Sequence, residues 1–159
     1  PQPRAQPSPR DTARATVGGA SVLVDYGRPS KRGRTIFAAD GLVPYGRVWR
    51  TGANAATTLV TGADVMLGTT RIPKGTYTLY TIPAADGWQL VVNRQTGQWG
   101  TEYDQTQDLA RIPMRVRTLS APVEQFTIEV QPAALVMRWD TTEASAPLRA
   151  ADGGGRVSK

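Results

Sequence analysis

The strongest constraint on this chain is its period-two patterning. Between a Pro-rich start and a Gly-rich end, apolar and polar residues alternate through one short stretch after another. Alternation puts every second side chain on one face, the signature of a half-buried strand. Ala20–Tyr26 is such a stretch, and Thr57–Val60 and Asp64–Leu67 flank the turn Thr61-Gly62-Ala63. Pro73-Lys74-Gly75 leads into Thr76–Ile82, with Tyr77, Leu79 and Thr81 on one face. Asp86-Gly87 is a hairpin dipeptide ahead of Trp88–Asn93. Met114–Leu119, Gln125–Val130 and Ala134–Trp139 follow, with Phe126, Ile128, Val130, Leu135, Met137 and Trp139 inward. Only residues 104–110 hint at a helix, of one or two turns. Short strands separated by Gly, Pro and Asp turns predict an all-β fold, a single-domain β-sandwich of jelly-roll-like form. The sandwich domain is expected over residues 13–149, with a Pro-rich extended arm at 1–12 and a Gly-rich C-terminal tail at 150–159.

The length of 159 residues suits one domain, and 40% hydrophobic content suffices for a core. No run approaches the roughly 20 apolar residues of a membrane-spanning helix. The chain has neither Cys nor His. Zinc-finger, haem and thiol chemistry and the Ser-His-Asp triad are therefore excluded. A metal site would need oxygen ligands alone, and no metal or cofactor is expected. The absence of Cys permits an oxidising compartment. The first residue is Pro rather than Met, which predicts a processed N-terminus.

Charge is segregated. Residues 1–50 hold nine basic side chains against Asp11, Asp25 and Asp40, while residues 51–159 are balanced at ten and ten. The whole excess of +6 thus lies in the first third of the chain. Such an excess favours acidic protein surfaces or anionic lipid headgroups. Nucleic acid is not expected, since no recognised binding module occurs. Arg outnumbers Lys 16 to 3, and Arg suits interfaces through its planar, weakly hydrated guanidinium; a genomic base-composition bias is the competing explanation. The candidate partner-binding residues are Arg4, Arg10, Arg14, Arg28, Lys31, Arg32, Arg34, Arg47 and Arg50.

Two stretches carry most of this. Arg28-Pro29-Ser30-Lys31-Arg32-Gly33-Arg34 is either a stiffened anion-binding loop or a solvated loop pairing with Asp25 or Asp40. In Tyr45-Gly46-Arg47-Val48-Trp49-Arg50, alternation puts Tyr45, Arg47 and Trp49 on one face. That face is either a sugar-stacking or cation–π platform or, the favoured reading, core capped by Arg47. Asn54 in Thr51-Gly52-Ala53-Asn54 either binds a ligand or closes a turn, with the turn favoured. Trp88 and Trp99 fit a carbohydrate-binding edge and a packed hairpin equally well. Tyr45, Trp49, Asn54, Trp88 and Trp99 form the candidate ligand-binding set. The acids Glu102, Asp104, Asp108, Glu124, Glu129, Asp140 and Glu143 have no spacing that demands a glycosidase pair or a calcium site. No Walker, G-x-S-x-G or dinucleotide motif occurs.

Several strings together resemble the bacterial DUF2911 family: Tyr26-Gly27-Arg28-Pro29, Gly33-Arg34-Thr35-Ile36-Phe37, the run Leu42–Asn54, Pro73–Pro83, Gln98-Trp99-Gly100 and Glu124–Glu129. The resemblance spans roughly residues 13–149. It implies no activity, because none is established for the family. It does imply export, to the periplasm or cell surface. The family pattern usually carries an acid after Gly-Ala-Asn, where this chain has Ala55-Ala56, so a function resting on that acid is not expected here. The sequence is therefore read as a non-enzymatic, exported accessory subunit that docks onto a larger, membrane-associated protein complex. The alternatives are a glycan- or small-ligand-binding sandwich and, less favoured, a carboxylate-based hydrolase.

Overall fold

The computed structural model describes residues 9–53, 56–96 and 103–151. It is an all-β sandwich. Eleven strands run in chain order: β1 Arg10–Val17, β2 Ala20–Gly27, β3 Phe37–Ala38, β4 Val43–Pro44, β5 Thr57–Thr61, β6 Val65–Leu67, β7 Thr70–Ile72, β8 Gly75–Ile82, β9 Trp88–Asn93, β10 Asp108–Gln131 and β11 Ala134–Ala150. Nine form one bent sheet in the order β1-β2-β5-β8-β9-β10-β11-β6-β7, and β3 and β4 make a small parallel pair. The hint of helix at 104–110 becomes a single 3-10 turn at Gln105–Gln107, capped by the Asp104 side chain.

The alternation predicts the faces of most strands. Val22, Val24 and Tyr26 of β2, Leu59 of β5 and Leu79 of β8 all enter one core. In β8 the opposite face is buried too, at Thr78 and Tyr80, because Tyr103 packs edge-on against the Tyr80 ring. β1 begins at Arg10, inside the stretch read from sequence as an arm.

The main departure from the sequence reading is the spine of the fold. Met114–Leu119 and Gln125–Val130, expected as two strands, belong to one 24-residue strand. Register shifts between Thr118 and Val123, and again between Val123 and Thr127, bend that strand without ending it. Residues 119–125 contain no Gly, and bulges rather than a turn absorb the change of direction. The partner strand β11 answers with Asp140 at φ 53, and its core positions switch from Leu135, Met137 and Trp139 to Ala144, Ala146 and Leu148. The bend carries the Glu124–Phe126 segment of β10 over to the end of β2. There Phe126 N–H donates to Pro29 C=O and Lys31 N–H donates to Glu124 C=O.

An aromatic cluster fills the bend. The Trp49 ring lies 4.9 Å from Phe126, 5.6 Å from Phe37, 5.9 Å from Trp139 and 6.4 Å from Trp88. The Trp139 indole N–H donates to the Glu124 carbonyl at 2.9 Å, which satisfies its one polar atom. Trp49 is held from behind by reciprocal backbone hydrogen bonds with Thr81. The next residue but one, Thr51, is fully buried at φ 60, a costly conformation for a β-branched residue. Its hydroxyl donates to Trp49 C=O, and its own carbonyl accepts from the Thr57 hydroxyl at 2.7 Å. The turn so formed presses on β2: a Cβ at Gly27 would sit 2.3 Å from the Ala53 carbonyl oxygen.

Trp49 joins segments far apart in sequence, so its removal is expected to be felt throughout. Trp49→Ala should cost about 3–5 kcal/mol in urea unfolding, with Trp49→Phe clearly milder. A cost for Trp49→Ala below about 1 kcal/mol would show that the cluster does not hold the bend.

Candidate functional site

The end of β2 is a fork. Along β2 itself the neighbour is β1, and the pairing extends to Arg28 N–H donating to Pro9 C=O. Two residues further, the neighbour becomes β10, through the Ser30–Gln125 bridge. β1 and the tip of β10 therefore leave the same point side by side without pairing along their length. Between them lies a groove of about 320 Å³, walled by Asp11–Arg14 on one side and Thr127–Gln131 on the other.

Arg28 sits at the apex and touches both walls. Its Nε donates to Phe126 C=O at 3.0 Å and its Nη2 to Thr127 Oγ1 at 2.9 Å. Its Nη1 reaches Asp11 Oδ2 on β1 at 3.3 Å. The planar guanidinium suits this division, since its donors diverge in fixed directions. Beneath it, Tyr26 closes the floor. The Tyr26 hydroxyl donates to Ile128 C=O at 3.4 Å and accepts from Ile128 N–H at 3.0 Å. Burial raises the Tyr26 pKa against the lowering effect of the Ile128 backbone bond, so the hydroxyl keeps the proton that it donates. On the β10 wall, Glu129 is held by the Gln131 amide and by Arg138 at 3.0 Å, and its pKa is lowered, first by the Gln131 hydrogen bond.

The arginines proposed from sequence divide into two kinds. Several are spent on the fold. Arg10 donates to Ala53 C=O and Ala56 C=O and pairs with Asp25 at 3.4 Å. Arg34 donates to the Ser30 and Lys31 carbonyls of its own loop. Arg50 donates to Gly52 C=O. Lys31 lies 3.9 Å from Asp140. The loop 31–34 does bind an anion, but an internal one: Arg32 N–H donates to Glu124 Oε2 at 2.9 Å. By contrast, the side chains of Arg14, Arg32 and Arg47 are exposed and make no ion pair among the described residues. Only Arg14 and Arg28 line the groove. Arg4, Asn54 and Trp99 lie outside the described residues.

The aromatic candidates are placed by the core. Trp88 is 4% exposed and packs on Phe37, and Trp49 is the centre of the cluster. Tyr45 is half-buried in the loop after β4. The acids serve as struts. Asp108 accepts from Asn93 Nδ2 at 2.9 Å and from the Tyr103 hydroxyl at 2.6 Å. Glu143 takes Arg117 at 2.6 Å and Arg138 at 2.8 Å. The carboxylates that shift all shift down: Asp64 through the Lys74 N–H, Glu129 through Gln131 and Glu143 through Arg117. A general acid needs the opposite shift.

Asp11, Tyr26, Thr127 and Glu129 complete the groove, and the sequence reading assigned none of them to a site. Asp11 lay in the supposed arm and Tyr26 at the end of a core strand. No spacing signals a contact between residues 28 and 127.

The family model DUF2911, described as a protein of unknown function, matches residues 8–148 of the chain. Comparison with curated proteins and with solved structures gives no match.

Loss of the Arg28 clamp should destabilise the tip of the sheet selectively. Arg28→Ala is expected to cost about 1–3 kcal/mol, with Arg28→Lys recovering little because one ammonium cannot serve all three acceptors; equal stability of Arg28→Lys and wild type would contradict the clamp. Glu143 generates a pH signature. Its folded pKa is depressed, so its stabilisation is present at neutral pH and is lost as pH falls through that value. The melting curves of wild type and Glu143→Gln should differ at pH 7 and draw together only as pH falls below the ordinary Glu value of about 4.3 and through the lower folded one; a gap that persists at the lowest pH at which both fold would count against the ionic origin.

Proposed function

We start from the fact that the chain belongs to the DUF2911 family, and we propose that it is a non-enzymatic accessory subunit that docks onto a larger protein assembly. The observation that carries this reading is the open fork, a groove built from two strand edges with the Arg14 guanidinium, which makes no ion pair among the described residues, on its lip. Docking uses that groove and the outward-facing Arg14, Arg32 and Arg47, with the Pro-rich arm extending the contact. Support also comes from what the other charged groups do. Arg10, Arg28, Arg34 and Arg50 serve the fold, and the shifted carboxylates are held ionised. The glycan-binding alternative is less well supported, because Trp88 is buried and Trp49 is packed edge-on against it and stacked on Trp139.

The exported location, on the periplasmic side of a membrane-associated assembly or at the cell surface, is part of the same proposal. It rests on the family resemblance and on the anion-seeking surface, which also suits anionic headgroups. No described helix is long and apolar enough to cross a membrane.

Native gel electrophoresis of the tagged protein from the cells that produce it tests this reading. Wild type is expected to migrate in a large assembly and the triple variant Arg14→Glu, Arg32→Glu, Arg47→Glu as a free chain of unchanged fold. Wild type migrating alone, or an undiminished assembly with the triple variant, would contradict it.

A further inference from the structure

The backbone of the fork specifies what kind of ligand its groove takes. In an antiparallel pair, alternate residues turn their N–H and C=O toward the partner strand and the others turn them away. Pro9 C=O accepts from Arg28 on β2, so the odd residues of β1 face β2 and Thr12, Arg14 and Thr16 face outward. The Thr12 N–H confirms this phase, since it is taken by its neighbour Asp11 Oδ1 at 2.7 Å instead of by β2. On the other wall, Phe126 and Ile128 turn their backbone groups to Pro29, Arg28 and Tyr26, which gives Val130 the same orientation. Beyond the Tyr26 hydroxyl the groove is thus bounded by the outward edge of Arg14, which continues along β1 to Thr16, and by that of Val130.

We infer that the groove binds an extended, acidic segment of a partner protein, which adds as a further strand to the outer edge of β1. The inference rests on the docking role proposed above and names its chemistry. Strand addition satisfies the outward backbone groups of an edge strand, and alternate side chains supply specificity. One face of the added strand would lie toward Ala13 and Val130, which pack partly buried against the core. The other would lie beside Arg14, which has no ion-pair partner among the described residues, whereas Arg28 is paired with Asp11 and Glu129 with Arg138. Small apolar residues alternating with Asp or Glu fit both faces. A second copy of this chain fits less well. Edge-to-edge pairing of two β1 strands, each carrying Arg10, Asp11 and Arg14, brings together edges that are both net positive, which disfavours pairing.

The probe is a fluorescein-labelled octapeptide of alternating Val and Glu, compared by anisotropy with its Val–Lys counterpart and with a Val–Glu version N-methylated along one edge. Saturable binding of the Val–Glu probe is expected, with the other two at least about tenfold weaker. Arg14→Glu should reverse the preference toward the Lys probe. Arg14→Pro removes an outward N–H without touching the β1–β2 bonds and should abolish binding; should it not fold, Thr16→Pro makes the same test one outward residue along. No response to the Val–Glu probe, equal response to the Lys probe or undiminished binding by the folded proline variant each overturns the inference. A concentration-dependent dimer that the proline variant dissolves would assign the edge to a second copy and likewise overturn it. The two proposals fail separately: a charge-dependent assembly on native gels without probe binding removes strand addition and leaves docking, whereas loss of the assembly removes docking.

Discussion

The bent β10–β11 hairpin must be fastened to the end of β2, and Arg28 is the fastening. Its guanidinium meets a backbone carbonyl and a hydroxyl on β10 and a carboxylate on β1. No other side chain type offers enough donors in a fixed plane to hold two diverging strands from one point. The contact has two consequences. It closes the sandwich at the β2–β10 junction, beside the aromatic cluster, and it fixes the separation at which β1 and the last part of β10 begin. The groove follows from the second. A sheet that closed fully would bury the edge of β1, and one without the clamp would lose the side-chain ties of Phe126 and Thr127 to the end of β2.

The sequence strings that resemble the family meet in space around this point. Gly27 of the first string lies against Ala53 of the run ending at Asn54, at a distance that admits no side chain. Arg28 and Pro29 hydrogen-bond to the string Glu124–Glu129. Trp49 stacks on Trp139 and abuts Phe126. Arg10 caps the Ala53 and Ala56 carbonyls. Much of the basic, aromatic, Gly-rich run is therefore framework, and the strain at Thr51 belongs to that framework through its buried hydroxyl contacts. The residues left for a partner are those whose charge the framework does not use, Arg14 foremost.

Local pattern made part of this legible. β2, β5, β8 and β9 are alternating segments whose core-facing residues follow from parity, and Trp49 packs partly buried against the core. The continuity of β10 was not legible, because Pro122 between the two alternating segments reads as a turn, whereas a bulge accommodates a Pro as well. The burial of Tyr80 on the outward face was not legible either: it depends on Tyr103, twenty-three positions away. The fork lay furthest from view. It arises from contacts between residues near 28 and near 127, 99 positions apart for Arg28 and Thr127, and from the backbone phase of β1, which sets which amides face out. Arg14 looks like every other exposed arginine until that phase is known.

Amide hydrogen exchange, resolved by residue, tests the central claim most directly. In the isolated protein the amides of Arg14 and Thr16 should exchange far faster than those of Ala13 and Ala15, and in the native assembly protection should rise at 12–16 and 127–131. Equal protection along β1 in the isolated protein, or new protection confined to surfaces away from the fork, would contradict an open edge that receives a partner.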